Sequence, residues 1–386
     1  MVLTGLDVLF QHQKDVLKGR KIGLVANPSS VNSRLEFILD LFINEKSWEV
    51  TTLFGPEHGL RSEVQAEEWS SDFHEPTTGL PVYSLYGKHL KPEPEMLRNV
   101  DTIVFDIQDV GSRYYTFIYT LSYVMEACEG KEIEVVVLDR PNPINGVDVE
   151  GPVLERNYES FVGRFPIPIR HGMTIGELAL LFQKEFGIQC RLRIIKMEGW
   201  KRQFHFEETG LPWVLPSPNM PTPDTALVYP GMCLFEGTDL SEGRGTTRPF
   251  EIFGAPWIDP HKLCSALKNL SGVTFRPLYF QPTFNKYQGE LCGGAQIHVY
   301  DRGKFQPVKM AVTLLSFLLK EYPGFFKWKD PPYEFVMDRL PIDILFGNSW
   351  IRESLEKADA PDEIEKRWET NLQNFMKLRQ KYLLYS

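Results

Sequence analysis

Four short apolar runs constrain the fold more than anything else in the chain. Residues 22–26, 50–54, 102–106 and 133–138 are each too short for a buried helix, rich in β-branched or aromatic residues, and apolar without a polar alternation. That is the pattern of strands covered on both faces. Each run ends in polar residues with glycine or proline nearby, and each is separated from the next by a helix-length or loop-length crossover. Strands alternating with helices specify a parallel sheet with helices on its faces, an α/β fold. In a parallel sheet all four polar ends lie along one edge, where open α/β folds hold their ligands. A fifth strand is predicted over 192–197, and helices over 34–44 and 114–128. Thr174 followed by Glu177 is a capping box, which assigns Glu177 a structural role.

At 386 residues the chain is long enough for two domains. Prolines 212, 216, 218, 221, 223 and 230 crowd the stretch 211–230, which is expected to lack regular structure. Beyond it the texture changes, with helices predicted over 261–270 and 307–320, strands over 273–280 and 295–300, and a last helix opening at Pro361. The boundary is therefore placed at 230, giving segments 1–230 and 231–386.

Composition removes several function classes. Net charge is −9, and no run of five basic residues occurs, so neither nucleic acid nor an anionic membrane is an expected partner. No apolar run reaches 18 residues and the start lacks a basic then apolar export pattern. A cytoplasmic protein is expected from the chain as written, although a secreted chain trimmed of its signal peptide would read the same. The five scattered cysteines point to free thiols and to no cysteine-type zinc site. Gly-x-Gly-x-x-Gly, the P-loop pattern and Gly-x-Ser-x-Gly are absent, and the eight histidines show no His-x-x-x-His spacing, so no cofactor and no metal is expected.

The polar ends of the strands then carry the chemistry. The run 50–54 stops in Gly55-Pro56, which cannot continue a ladder, and presents Glu57 and His58 at the rim. Asn27 follows the first run, Asp106, Gln108, Asp109, Arg113 and Tyr114 follow the third, and Asp139, Arg140 and Asn142 follow the fourth. Further along come His171, then Ser217 and Asn219 in the proline-dense stretch, then Glu242, Arg244 and Arg248 in the glycine-rich loop 235–249, which is suited to holding an anion. A ring of carboxylates, amides, arginines and tyrosines is what glycoside cleavage needs. One acid protonates the leaving oxygen, and a second carboxylate or a substrate group handles the other face. Glu57, beside apolar Phe54 and Pro56, is the expected acid, with His58 orienting it. Asp106, Asp109, Asp139 and Glu242 are candidates for the second group.

Seven ordered motifs carry a resemblance. They are Phe-Gly-Pro-Glu-His-Gly (54–59), Thr-Gly-Leu-Pro-Val-Tyr-Ser-Leu-Tyr-Gly (78–87), Phe-Asp-Ile-Gln-Asp-Val-Gly-Ser-Arg-Tyr-Tyr-Thr (105–116), Leu-Asp-Arg-Pro-Asn-Pro (138–143), Arg-His-Gly-Met-Thr (170–174), Pro-Ser-Pro-Asn-Met-Pro (216–221) and Glu-Gly-Thr-Asp-Leu-Ser-Glu-Gly-Arg-Gly-Thr-Thr (236–247). Together they resemble the exo-β-N-acetylmuramidases of the NamZ type across nearly the whole chain. The resemblance implies a Rossmann-like domain, here 1–230 with the Glu57-His58 motif, joined to a smaller α/β domain, 231–386, with the active site in the cleft between them. It also implies release of terminal N-acetylmuramic acid from the non-reducing end of peptidoglycan fragments, with Glu57 as the catalytic glutamate. One departure, Ala66-Glu67-Glu68 in place of a Gly-Glu pair, predicts a different shape for the loop 61–77, part of the polar, turn-rich excursion between Arg61 and Pro81 that is expected to act as a lid. The missing export pattern suggests action on imported or recycled sugars.

Muramic acid differs from glucosamine by a lactyl carboxylate, so a cation is expected in the site. Arg244 and Arg113 are the first choices, with Arg140 and Arg248 behind them. A competing reading is a non-catalytic amino-sugar-binding protein with Trp69, Trp213 and Trp257 as stacking platforms. An esterase or amidase is disfavoured by the lack of a nucleophile with a base at recognisable spacing. Oligomeric state is left open by the sequence.

Overall fold

A computed structural model describes residues 1–61 and 72–386. The chain has a two-domain α/β architecture. Strands β1 (Lys21–Ala26), β2 (Glu49–Gly55), β3 (Phe73–His74), β4 (Pro81–Ser84), β5 (Thr102–Asp106) and β6 (Glu134–Leu138) enter the first sheet. A hairpin of β7 (Glu150–Val153) and β8 (Pro168–Arg170) follows, and β9 (Arg191–Ile195) returns to the first sheet, whose order is β3-β4-β2-β1-β5-β6-β9. All its pairs are parallel except β3 with β4. The four apolar runs are thus central strands, and β1 and β5 are fully covered apart from Lys21. Register keeps their ends level, with Ala26 opposite Asp106 and Val25 opposite both Phe54 and Phe105.

The second sheet is antiparallel, formed by β10 (Ile252–Ala255), β11 (Val273–Phe280) and β12 (Cys292–Val299) in the order β10-β12-β11. Helices Pro260–Leu267 and Pro307–Glu321 accompany it, each with proline at its first turn where the missing N–H costs nothing. One hydrophobic core runs from Val25 in β1 through Phe235 and Phe253 to Phe375 in the final long helix, Pro361–Arg379. The end of the chain then returns to the first sheet, where the Tyr385 hydroxyl donates to Asp139 at 2.5 Å and the Leu384 N–H to Glu177 at 2.8 Å.

Three sequence expectations need correction. The helix expected over 34–44 begins only at Ile38, because Arg34 to Phe37 form a turn held by Asn32. The helix expected from Tyr114 begins at Phe117, leaving the aromatic pair before it free of helical geometry. The stretch 211–230 is not wholly irregular, since Pro223–Met232 is a helix with Pro223 at its first turn and Pro230 in its interior. The Pro230 carbonyl, in the last turn of that helix, accepts from the Tyr114 hydroxyl. The expected lid and the departure at Ala66-Glu67-Glu68 fall largely or wholly on residues 62–71, outside those described. Among the described residues no helix is long and apolar enough to cross a membrane, and the five cysteines are free thiols.

Candidate active site

The end of β2 folds straight back on itself. The Gly59 N–H donates to the Pro56 carbonyl at 2.9 Å, closing a four-residue turn with Glu57 and His58 at its two central positions. A Cβ on Gly55 would stand 2.7 Å from the Leu60 backbone nitrogen, so the reversal requires glycine there. His58 has φ +72°, a left-handed conformation that is uncommon for a residue with a side chain and costs on the order of 1–3 kcal/mol. Both Glu57 and His58 are 8% exposed.

Opposite this turn is the start of the helix Phe117–Ala127. Thr116 occupies its N-cap position, but its hydroxyl does not cap the helix. It donates instead to Glu57 Oε2 at 2.6 Å. The acid from β2 and the hydroxyl from the β5 side therefore meet on the wall of an open cleft. Tyr114, Tyr115, Phe117, Val162, Ser217, Asn219 and Met220 line it from the first part of the chain. Tyr229 lines it from the junction of the two parts, and Glu236, Glu242, Arg244, Phe250, Asn285, Lys286, Lys329, Tyr333 and Glu334 line it from the second. The Tyr115 hydroxyl is buried beside the Ser217 side chain, and burial pushes it well above its ordinary pKa, so it remains a donor.

The far wall is a charge network. Arg244 contacts Glu236 at 2.7 Å and Glu242 at 3.4 Å, and Lys286 contacts Glu242 at 2.8 Å. Tyr333 donates to the second oxygen of Glu236 at 2.6 Å. Burial pushes the Glu236 carboxyl up, but Arg244 and the Tyr333 hydroxyl outweigh it and hold the group below its usual value. Burial pulls the Arg244 guanidinium down, and Glu236 and Glu242 more than reverse that. The loop geometry depends on Gly245, at φ +80°, where a Cβ would meet the Phe284 carbonyl at 2.5 Å. That close approach brings the 283–287 loop, with Lys286, to Glu242.

Of the side chains singled out from sequence, Glu57, His58, Tyr114, Ser217, Asn219, Glu242 and Arg244 line this cleft. The others do not. Asp106 is fully buried in a two-pronged pair with Arg140, at 2.5 and 2.7 Å, which removes both from consideration as second acid and as carboxylate binder. Asp139 accepts from Thr174, from the Gly176 N–H and from Tyr385, bracing the helix Ile175–Glu185, and burial pushes it up to about 7. Asn27 donates to the Pro216 carbonyl at 2.9 Å, Gln108 to Pro141 at 2.7 Å and Asn142 to Met173 at 3.0 Å. His171 Nδ1 accepts from the Met173 N–H at 3.2 Å, its Nε2 faces Asp109 at 3.4 Å, and Asp109 accepts from Gly111. Arg113 is fully buried and donates to the carbonyls of Pro152, Ile167 and Leu345. Arg248 pairs with Glu251.

For Asn27, Asp106, Gln108 and Arg140 the cause of this misplacement is the cover over one sheet edge. The sheet edge at β1 and β5 is the point where strand order reverses, the ordinary ligand crevice of such folds. Here the proline-dense stretch covers it, with Asn27 held to Pro216 and the Ser30 hydroxyl donating to the Asp106 carbonyl. The open space lies beside it, between β2 and the helix Phe117–Ala127. Trp213 and Trp257 are likewise committed elsewhere, to Phe206 and the Met220 carbonyl and to Tyr322 and Tyr287, and Trp69 lies outside the described residues. Sequence reasoning missed Thr116, Tyr115, Glu236, Lys286, Lys329 and Tyr333. Tyr115, Thr116 and Glu236 lie inside the seven motifs, whereas nothing in the sequence marks Lys286 or Lys329. Among the described residues no group of three His, Cys, Asp or Glu side chains is placed to hold a metal ion.

Similarity to known proteins covers the whole chain. The family model for the N-terminal part of the exo-beta-N-acetylmuramidase NamZ matches residues 22–224, and the model for its C-terminal part matches 227–385. Over 386 residues the chain is 49% identical to the peptidoglycan beta-N-acetylmuramidase NamZ of Bacillus subtilis strain 168, a match that spans 100% of this chain and 91% of that one. Two crystal structures of DUF1343 family proteins from Bacteroides fragilis superpose on it. One does so at TM-score 0.90 and 36% identity, the other at 0.77 and 29%, each covering 100% of this chain and 99% of its own.

Proposed function

The chain belongs to the exo-beta-N-acetylmuramidase NamZ family, and from that premise we propose that the Glu57 cleft is where it hydrolyses the bond of a terminal N-acetylmuramic acid at the non-reducing end of a peptidoglycan fragment. Glu57 gives its proton to the leaving oxygen as the glycosidic bond breaks. Thr116 fixes the direction of that carboxyl, and His58 is carried beside it by the strained turn. The other face needs a nucleophile, and Glu236 and Glu242 are poorly suited, since each is tied to a cation within 2.8 Å. The acetamido oxygen of the substrate takes that role, attacking the anomeric carbon as the leaving oxygen departs. Water then opens the cyclic intermediate and gives its proton to the Glu57 carboxylate. The Tyr115 hydroxyl is the donor available to orient the acetamido group.

The observation that carries this reading is that Glu57 is held by a neutral hydroxyl on a polar cleft while Glu236 and Glu242 are each held by a cation. The test is chromophore release from aryl β-N-acetylmuraminide and aryl β-N-acetylglucosaminide by wild type and Glu57→Gln. Turnover of the muraminide that is lost in the variant, with sugar binding retained, supports it. Binding without turnover in the wild type would make the protein a sugar-binding module instead.

A further inference from the structure

Three cations line the cleft, Arg244, Lys286 and Lys329, and two are already spoken for. Arg244 is bound by Glu236 and Glu242. Lys286 has three N–H donors and three acceptors, Glu242 at 2.8 Å and the carbonyls of Phe235 and Leu240 at 2.7 and 3.0 Å, so its hydrogen bonding is complete. Lys329 differs. Among the described residues its ammonium pairs with no carboxylate, and it stands 5.7 Å from the centre of the Tyr333 ring.

That half-buried ammonium is nevertheless held in place. The Lys329 N–H donates to the Gly237 carbonyl at 2.9 Å, which ties its backbone beside Glu236. Tyr333, the ring beneath it, is itself fixed by its hydrogen bond to Glu236. Glu236 is paired with Arg244 and Glu242 with Lys286, while Glu334, the remaining carboxylate of that wall, makes no ion pair with Lys329 among the described residues. An ammonium held in a cleft with no carboxylate in contact with it is a site for an anionic group brought by the ligand.

We propose that Lys329 binds the lactyl carboxylate of the terminal sugar and so selects muramyl over glucosaminyl substrates. This rests on the muramidase reading above and assigns its specificity to one residue. A lysine suits the task, because the lactyl group turns freely about its ether bond and a compact charge can follow it without a fixed two-pronged geometry. The lactyl group is not part of the bond that breaks, so its contact is equally strong before and during the reaction and acts on KM more than on kcat.

The test compares aryl β-N-acetylmuraminide with the same compound carrying a neutral lactyl methylamide, in wild type, Lys329→Met and Lys329→Arg. The Met variant should lose about ten- to a hundredfold in kcat/KM on the acid, mostly through KM. Its preference for acid over amide should fall to near unity, and the Arg variant should restore much of it. Calorimetric binding of free N-acetylmuramic acid should weaken in parallel. An acid-to-amide preference in Lys329→Met equal to that of wild type would overturn the assignment. Should wild type fail to cleave the muraminide, the muramidase reading falls on its own. Binding of N-acetylmuramic acid then still decides the role of Lys329, because unchanged affinity in the Met variant rejects it.

Discussion

Thr116 stands at the N-cap of a helix and spends its hydroxyl on Glu57, 2.6 Å away, rather than on the helix. A threonine in that position ordinarily accepts from the first turn and contributes about 1 kcal/mol to stability. Here the contribution has been moved to the site.

Thr116→Ala should therefore lower kcat about ten- to a hundredfold, the range for a hydrogen bond to the carboxylate that forms as Glu57 gives up its proton, while barely moving the melting temperature. Thr116→Ser should keep most activity. A variant that melts well below wild type but turns over normally would show that the hydroxyl serves the helix after all.

His58 offers a second separation of stability from activity. At φ +72° a glycine is at ease where histidine is not. His58→Gly should melt at or above His58→Ala, by a few degrees, and both should lose at least tenfold in kcat. Equal activity in wild type and both variants would remove His58 from the chemistry.

Arg244 behaves differently from the carboxylate binder that the sequence suggested. Removing it strands Glu242, nearly inaccessible, and Glu236, half-buried, so Arg244→Met should destabilise by about 3 kcal/mol. Adding Glu236→Gln should recover part of that loss in denaturant unfolding. No recovery would mean that the guanidinium matters for its packing over Phe250 instead.

Glu150 gives a pH prediction. Its Oε1 accepts from the Lys309 N–H at 2.8 Å, its Oε2 is buried without a partner among the described residues, and burial pushes it up to about 7. The folded state thus keeps a proton that the unfolded chain releases near 4.5. Below that value both states hold the proton and Glu150 has no effect. As pH rises from there to about 7, stability is lost. Melting temperature measured from pH 5 to pH 8 should fall less steeply in Glu150→Gln than in wild type, and identical slopes would discard the assignment.

The sheet was legible because its central strands are buried on both faces and so are written as unbroken apolar runs. The acid was legible for a related reason, since Gly55-Pro56 ends a strand unmistakably and places Glu57 at its rim. The rest of the site was hidden by pairing. Asp106 with Arg140, Asp139 with Thr174 and Tyr385, and Glu242 with Lys286 are satisfied by residues tens to hundreds of positions away, and no local pattern announces such partners. Lys329 was invisible for the opposite reason, because what distinguishes it is the lack of a carboxylate partner among the described residues.

Arg113 carries its charge into the interior, where it is met by three backbone carbonyls, two from the β7–β8 region and one, Leu345, from more than two hundred residues along the chain. Backbone carbonyls cannot be mutated, so this junction depends on the path of the chain and not on any side chain that could covary with the arginine. Exchange of one half for the corresponding half of a distant relative would succeed only where the incoming main chain passes through the same point. Drift within the family is thereby free to alter the cleft walls while the seam between the halves is inherited as a unit.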